Sequence, residues 1–230
     1  MFKDKYVSAV IAAAGKGLRM GSEIPKQYMT VAGNTILDTT LYKFEKSNEV
    51  DEIVPVIGKY DLEYVKDKIA SKYSKITEVV IGGSSRTESV FKGIKAVNTR
   101  CGIILIHDGV RPLISYNLIS SCVEGAYNYG ACIPVIDVVD TIKEVSEDKI
   151  VKNTLNRKLL KAVQTPQAFD YALIKDCYEK AVADGSSFTD DASIIEYYGH
   201  RVVTVDGLRK NIKITTPFDL KIAEIFLSTY

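Results

Sequence analysis

A chain of 230 residues with 46% hydrophobic content is long enough to bury a substantial core and too apolar to be disordered. Thirty basic against 29 acidic residues leave a formal net charge of +1, which argues against a general nucleic-acid or membrane-surface footprint, so any basic site must be local. The cysteines Cys101, Cys122, Cys132 and Cys177 show no C-x-x-C spacing and fall in apolar runs, as reduced core thiols do, and the chain has no apolar run of about 18 residues and no signal-peptide pattern. The expected setting is the cytoplasm, with no membrane and no nucleic acid as partner.

In chain order, the run YVSAVIA at 6–12 predicts a buried strand, and the stretch after it is rich in glycine and positive charge. Ile36, Leu37, Thr40, Leu41 and Phe44 share one face at helical spacing, and EIVPVIG reads as the next strand. YDLEYVKDKIASKY, 60–73, predicts a helix turning Leu62, Val65 and Ile69 inward. A strand at 76–83, a helix at 84–97, a strand at 102–109, a helix at 115–128 and a strand at 130–136 continue the alternation. This βαβα order predicts an α/β fold: a Rossmann-like, mostly parallel sheet with helices on both faces and ligands at the carboxyl ends of its strands.

From 137 to 161 the pattern becomes an apolar–polar alternation around SEDK, which predicts a β-hairpin leaving the main sheet. Such a hairpin cannot bury itself, so it is expected to act as a dimerisation arm. QTPQAF reads as a loop. Helices near 171–183 and 190–198, a strand at 201–205, a short extended NIKI and a helix after Pro217 complete the expectation of one domain, 1–230, with an arm subdomain at about 137–161.

The loop after the first strand decides the chemistry. A glycine-rich turn converges backbone N–H groups on an anion, and Lys or Arg adds mobile positive charge, so a phosphorylated ligand is implied. The dinucleotide fingerprint G-x-G-x-x-G fails, because Met20 follows Gly15 and Gly17 in the third position; a Walker loop fails because Gly21 precedes Ser22 rather than Lys. A flexible connection with solvated charges remains the plainer reading of this loop taken alone, and a non-catalytic nucleotide-binding regulator would also fit the sheet.

The full string G-x-G-x-R-M-G with P-K-Q downstream resembles nucleotidyltransferases that activate small phosphorylated compounds. Together with GGSSRTESV, IHDGVRP, DTIKEV, VQTPQAF, TDDAS and NIKITTPFDL, it gives seven motifs in the order of the 2-C-methyl-D-erythritol 4-phosphate cytidylyltransferase family. The related D-ribitol-5-phosphate cytidylyltransferases share several of these, whereas TDDASIIEYYG and TLNRKLL look like the methylerythritol branch. The resemblance implies cytidylyl transfer from CTP to a small polyol phosphate in isoprenoid precursor synthesis, with Mg²⁺ or another divalent cation, in a homodimer joined by the β-arm.

The family's roles carry over by motif. Ala13, Ala14, Gly15 and Gly17 are expected as backbone contacts to the triphosphate, with Arg19, Lys26 and Lys213 as catalytic cations. Gly82, Gly83, Arg86 and Ser89 are expected around the nucleotide base; Ser84 stands where many relatives have an acidic residue. Asp108 is expected as the metal ligand and, with Arg111, Thr141, Arg157 and Thr165, as part of the acceptor site. From spacing alone, Lys213 and Arg157 read as surface charges, Asp108 as a turn residue paired with Arg111, Ser85 as an ordinary N-cap, His107 as a satisfied core histidine and His200 as a surface residue.

Overall fold

The computed structural model describes residues 1–15, 24–186 and 188–228. In β1 (Tyr6–Ala13), Val7, Ala9, Ile11 and Ala13 join one buried cluster and Val10 joins another, so the strand is apolar on both faces, as a central parallel strand must be. A 3-10 turn at Lys26–Tyr28 and a small ribbon of β2 (Thr30–Val31) and β3 (Asn34–Thr35) lead to α1 (Ile36–Glu45). The predicted face of α1, including Leu37, Leu41 and Phe44, is the buried one.

β4 (Glu52–Ile57) runs parallel to β1. The helix expected over 60–73 is broken: a 3-10 turn at Lys59–Asp61, α2 (Leu62–Lys68) and a second 3-10 turn at Ala70–Lys72 replace it. Val65 and Ile69 are buried as predicted, and Leu62 packs on the same cluster partly exposed. The strand expected over 76–83 shrinks to β5 (Val80–Ile81), with one bridge from Ile76 to Ile53, because it forms the sheet's edge and needs few ladder bonds.

α3 (Arg86–Ala96), β6 (Cys101–Asp108), α4 (Tyr116–Tyr129) and β7 (Ala131–Asp137) follow close to their predicted limits. Ser85 and Ser115 cap the two helices by accepting the N–H of Glu88 and Leu118, and Gly130 closes α4 at φ 84°, where a side chain would be strained. The hairpin consists of β8 (Lys143–Val145) and β9 (Val151–Thr154), both exposed along their whole length.

The return differs from expectation. β10 (Lys161–Val163) lies antiparallel on β7, and of the predicted QTPQAF loop the first three residues stay irregular while the last three begin β11 (Gln167–Asp170), inserted antiparallel between β6 and β7. Its four residues are too few for periodicity to separate strand from loop, and the ladder on two neighbours supplies what local sequence does not. α5 (Tyr171–Ala183), α6 (Asp191–Tyr197), β12 (Val203–Asp206) and α7 (Pro217–Ser228) complete the order. NIKI forms no ladder.

In the sheet, β5, β4, β1, β6, β11 and β7 are neighbours in that order. Cys132 faces Ala168 on one side and Val203 on the other, so β12 takes the edge of β7 opposite β11. One buried layer contains residues of α1, α2 and α4, the other residues of α3, α5 and α6. Ala12 is in register with Asp108, which brings the ends of β1 and β6 to the same crevice. No described helix is long and apolar enough to cross a membrane.

Candidate active site

Two adjoining cavities open at that crevice. The first, about 390 Å³, is lined by the end of β1 (Ala12 to Gly15), Lys26, Gln27, the turn Gly83 to Ser85, Ser89 and Val110. The second, about 490 Å³, takes in Arg111, Gln164, Thr165, Gln167, Asp190 and Ser193. Arg86, Asp108 and Lys213 belong to both and form the wall between them.

Asp108 is the centre of this wall. Its Oδ2 takes Lys213 Nζ at 3.0 Å and Arg111 Nε at 3.2 Å, while Oδ1 takes no hydrogen bond among the described residues. Burial by itself would raise its pKa, but the charges of Lys213, Arg111 and Arg86 outweigh that and hold it down at about 2, so the carboxylate is ionised at neutral pH. Thr165 Oγ1 accepts the Asp108 N–H at 3.1 Å and lies 3.0 Å from His107 Nδ1. The hydroxyl proton therefore goes to Nδ1, and Nε2–H donates to the Arg111 carbonyl at 3.2 Å. His107 is fully buried and neutral, its pKa pushed down to about 4 chiefly by burial. Thr165, expected at the acceptor, has its proton committed beneath Asp108.

Lys26 reaches this wall from the 3-10 turn after the glycine loop and places Nζ 3.4 Å from the Ile214 carbonyl, next to Lys213 in the chain. Gln27, which spacing had not singled out, is 2% exposed and donates to the Ala13 carbonyl at 2.9 Å, fixing the end of β1. Gly17 and Arg19 lie outside the described residues.

At the paired glycines the backbone donors are already engaged. The Gly82 N–H goes to Ile57 O at 2.8 Å, the Gly83 N–H to Ser89 Oγ at 2.9 Å and the Ser84 N–H to Glu88 Oε2 at 2.8 Å. Ser89 Oγ spends its own proton on the Ser85 carbonyl at 2.7 Å, so any further contact from it is as an acceptor. The Ser84 hydroxyl also donates to Glu88, at 2.8 Å. With these donors engaged, a base contact from Gly82, Gly83 or Ser84 would fall to a carbonyl and one from Ser89 Oγ to its lone pair.

Arg86 is likewise committed. Nη1 and Nη2 donate to Asp191 Oδ1 and Oδ2 at 2.8 and 2.7 Å, and Tyr178 donates to Oδ1 at 2.5 Å. Burial disfavours the guanidinium charge, and the fully buried Asp191 carboxylate more than compensates, raising its pKa. Gln167 links the same region to β11: Oε1 accepts the N–H groups of Asp191 and Ala192 at 3.0 and 2.9 Å, and Nε2 donates to the N-cap Asp190 at 2.8 Å. Asp190, Asp191 and Gln167 were legible only as members of motifs. Asp190 and Asp191 sit among serine and threonine residues, so no local pattern marked them, and it is burial that requires Asp191 and Gln167 to be paired.

Thr141 and Arg157 are exposed on the arm and do not line either cavity; Arg157 Nη1 donates to the Val139 carbonyl at 2.5 Å. Among the described residues there is no group of three or more His, Cys, Asp or Glu that could hold a metal ion. Asp108, ionised and with Oδ1 taking no hydrogen bond among the described residues, offers one oxygen to a hard cation, which would draw the rest from phosphate oxygens and water, a donor set that suits Mg²⁺.

Comparison with known proteins gives consistent results. Residues 7–229 match the family model described as IspD, 2-C-methyl-D-erythritol 4-phosphate cytidylyltransferase. A 2-C-methyl-D-erythritol 4-phosphate cytidylyltransferase of Clostridium novyi (strain NT) is 45% identical over 221 residues, 95% of each chain. One of Alkaliphilus oremlandii (strain OhILAs) is 43% identical, covering 96% of this chain and 95% of its own. The crystal structure of 4-diphosphocytidyl-2C-methyl-D-erythritol synthase from Anaerococcus prevotii DSM 20548 superposes with a TM-score of 0.88 at 38% identity, covering 98% of this chain and 97% of that one. The corresponding cytidylyltransferase of Thermus thermophilus gives 0.78 at 28% identity over 95% and 98% of the two chains. With the match running from β1 into α7, the chain belongs to the 2-C-methyl-D-erythritol 4-phosphate cytidylyltransferase family.

Proposed function

We propose that the chain transfers the cytidylyl group of CTP to 2-C-methyl-D-erythritol 4-phosphate, giving 4-diphosphocytidyl-2-C-methyl-D-erythritol and pyrophosphate. The observation that carries the reading is the common wall: two adjoining cavities of about 390 and 490 Å³ meet at Lys213, Asp108 and Arg86, with Lys26 alongside. An acceptor phosphate oxygen attacks the α-phosphorus, the bond from that phosphorus to the bridging oxygen of the β-phosphate breaks, and pyrophosphate leaves with the electron pair. A phosphate monoester, with a second pKa of about 6, is already largely ionised at neutral pH, so no side chain has to remove a proton. The chain's task is to hold two polyanions in line and offset their repulsion. Lys26, Lys213 and Arg19 are the cations for the developing charge, and Arg111 faces the acceptor phosphate.

Mg²⁺ is proposed with Asp108 as its protein ligand; when bound it supplies further charge neutralisation at the phosphates. Turnover that survives chelation unchanged would remove the metal from the reaction. The arm is proposed to join a homodimer and to carry Thr141 and Arg157 to the partner's acceptor cavity. Support comes from its exposed apolar side chains, Val145, Ile150, Val151 and Leu159, 50% to 80% accessible, which an isolated hairpin in water leaves unburied.

The deciding assay is pyrophosphate release with CTP and each pentitol or tetritol phosphate in turn. Strong preference for 2-C-methyl-D-erythritol 4-phosphate is expected. Faster turnover of D-ribitol 5-phosphate would reassign the acceptor, and tight NAD binding with no affinity for CTP would overturn the reaction class.

A further inference from the structure

Lys213 stands on a segment that secondary structure does not hold. Between the end of β12 at Asp206 and the start of α7 at Pro217 there is no ladder. The main chain is tied at its two ends, by the Gly207 N–H to Val135 O at 2.7 Å and the Ile214 N–H to Val110 O at 2.9 Å. What lies between is fastened by two buried amide side chains. Gln164, 4% exposed, pairs with Leu208 as a neighbouring strand would: Oε1 accepts the Leu208 N–H at 3.1 Å and Nε2 donates to the Leu208 carbonyl at 2.9 Å. The same Nε2 also lies 3.3 Å from the Asn211 carbonyl, which takes Arg111 Nη1 at 2.8 Å. Asn211, fully buried, donates from Nδ2 to the Thr165 carbonyl at 2.9 Å. Thr165 is the residue whose hydroxyl receives the Asp108 N–H, and Asp108 is the residue Lys213 meets.

We infer that Gln164 and Asn211 are positioning residues for the transfer, holding Lys213 in the wall between the cavities in register with Asp108, Arg111 and Thr165. The inference rests on Lys213 acting as a phosphate-facing cation. The Gln164 amide suits the task because it offers a donor and an acceptor in one plane, as a peptide group does, and replaces a missing strand partner without adding charge, whereas Asn211 acts through its donor, its buried Oδ1 having no partner among the described residues. A lysine with its side chain 39% exposed has many rotamers available, so the backbone position beneath it sets how much of its charge falls on the reacting phosphate.

The test uses Gln164→Glu, which keeps the side chain's shape and its acceptor for the Leu208 N–H but, ionised, loses both donated bonds. Because it also puts a negative charge against the second cavity, the uncharged Gln164→Met is measured beside it and should give the same fall in kcat. With the full-length protein, CTP and 2-C-methyl-D-erythritol 4-phosphate, kcat should fall about ten-fold while both KM values change less than about two-fold. In a Lys213→Ala background the same substitution should change kcat by less than about two-fold, because a residue acting through Lys213 has nothing left to position. Amide hydrogen exchange at Leu208 and Ile214 should quicken in Gln164→Glu whether or not the protein turns over. An equal fall in kcat in both backgrounds, or an unchanged kcat, overturns the inference. If wild type makes no pyrophosphate with these substrates, the functional reading fails instead, and exchange at Leu208 and Ile214 alone decides whether Gln164 holds the segment. Should Gln164→Glu not fold, Asn211→Ser, which loses the bond to Thr165, takes its place with the same expected outcomes.

Discussion

Asp108 and His107 are consecutive residues at the end of β6, and both are held in one protonation state by their surroundings. His107 has its pKa pushed down to about 4 from 6.5, so between those values the unfolded chain binds the proton and the folded one does not. Its contribution to stability is complete above pH 6.5 and is lost as pH falls toward 4. Asp108, lowered to about 2 from 3.8, adds stability that is complete above 3.8 and lost as pH falls through about 2. Urea unfolding should therefore show a loss of about 3 kcal/mol between pH 7 and 4 from the histidine. The loss should be absent in His107→Gln. An equal pH dependence in the two proteins would mean that the ring is not held neutral. The comparison isolates the histidine because Asp108 titrates below this window.

At the level of elements, the first cavity, proposed to take the nucleotide, depends on how near α3 comes to β1. Gly82 lies where a Cβ would stand 2.6 Å from Ala14 Cβ and 2.8 Å from Ser89 Oγ, so the turn must be glycine for the end of β1 and the start of α3 to meet. Ser85 as N-cap and Glu88, reaching back to the Ser84 N–H and hydroxyl, then fix the first turn of α3 and with it Arg86. Gly82→Ala should push the two elements apart, costing about 1–3 kcal/mol of stability as overpacking does. It should also weaken CTP binding measured by calorimetry by more than it weakens binding of the acceptor. Equal affinities for CTP in the two proteins would show that the close approach does not shape the nucleotide cavity.

For the molecule as a whole, the arm is the element that stands apart from the site. Thr141 and Arg157 are exposed and away from both cavities, and the hairpin leaves Leu159 80% accessible. If two-fold exchange of arms completes each acceptor site, Lys26→Ala and Arg157→Ala proteins should each be nearly inactive. Unfolded and refolded together in equal amounts, they should form mixed dimers in which one site of two is intact, recovering about a quarter of wild-type activity. No recovery, with mixed dimers confirmed by mass, would leave the arm outside the active site.

Much of this was readable along the chain. The two-sided apolar runs of β1 and β6, the helical faces of α1 and α4 and the serine caps of α3 and α4 are local patterns of period and hydrogen bonding, which a linear sequence carries in full. The glycine loop, the end of β6 and the NIKI lysine were legible as motifs, and their family with them. What the chain order could not display was which polar groups are used up when distant segments meet. Gln167 pairs with the start of α6, Arg86 with Asp191, Gln164 with Leu208 and Thr165 with His107, at separations of 24, 105, 44 and 58 residues. The second half of QTPQAF likewise joined a strand because β6 and β7 stand on either side of it. Burial forces each such donor and acceptor to find a partner, and the partner is chosen by packing in space, to which neither spacing nor propensity gives access.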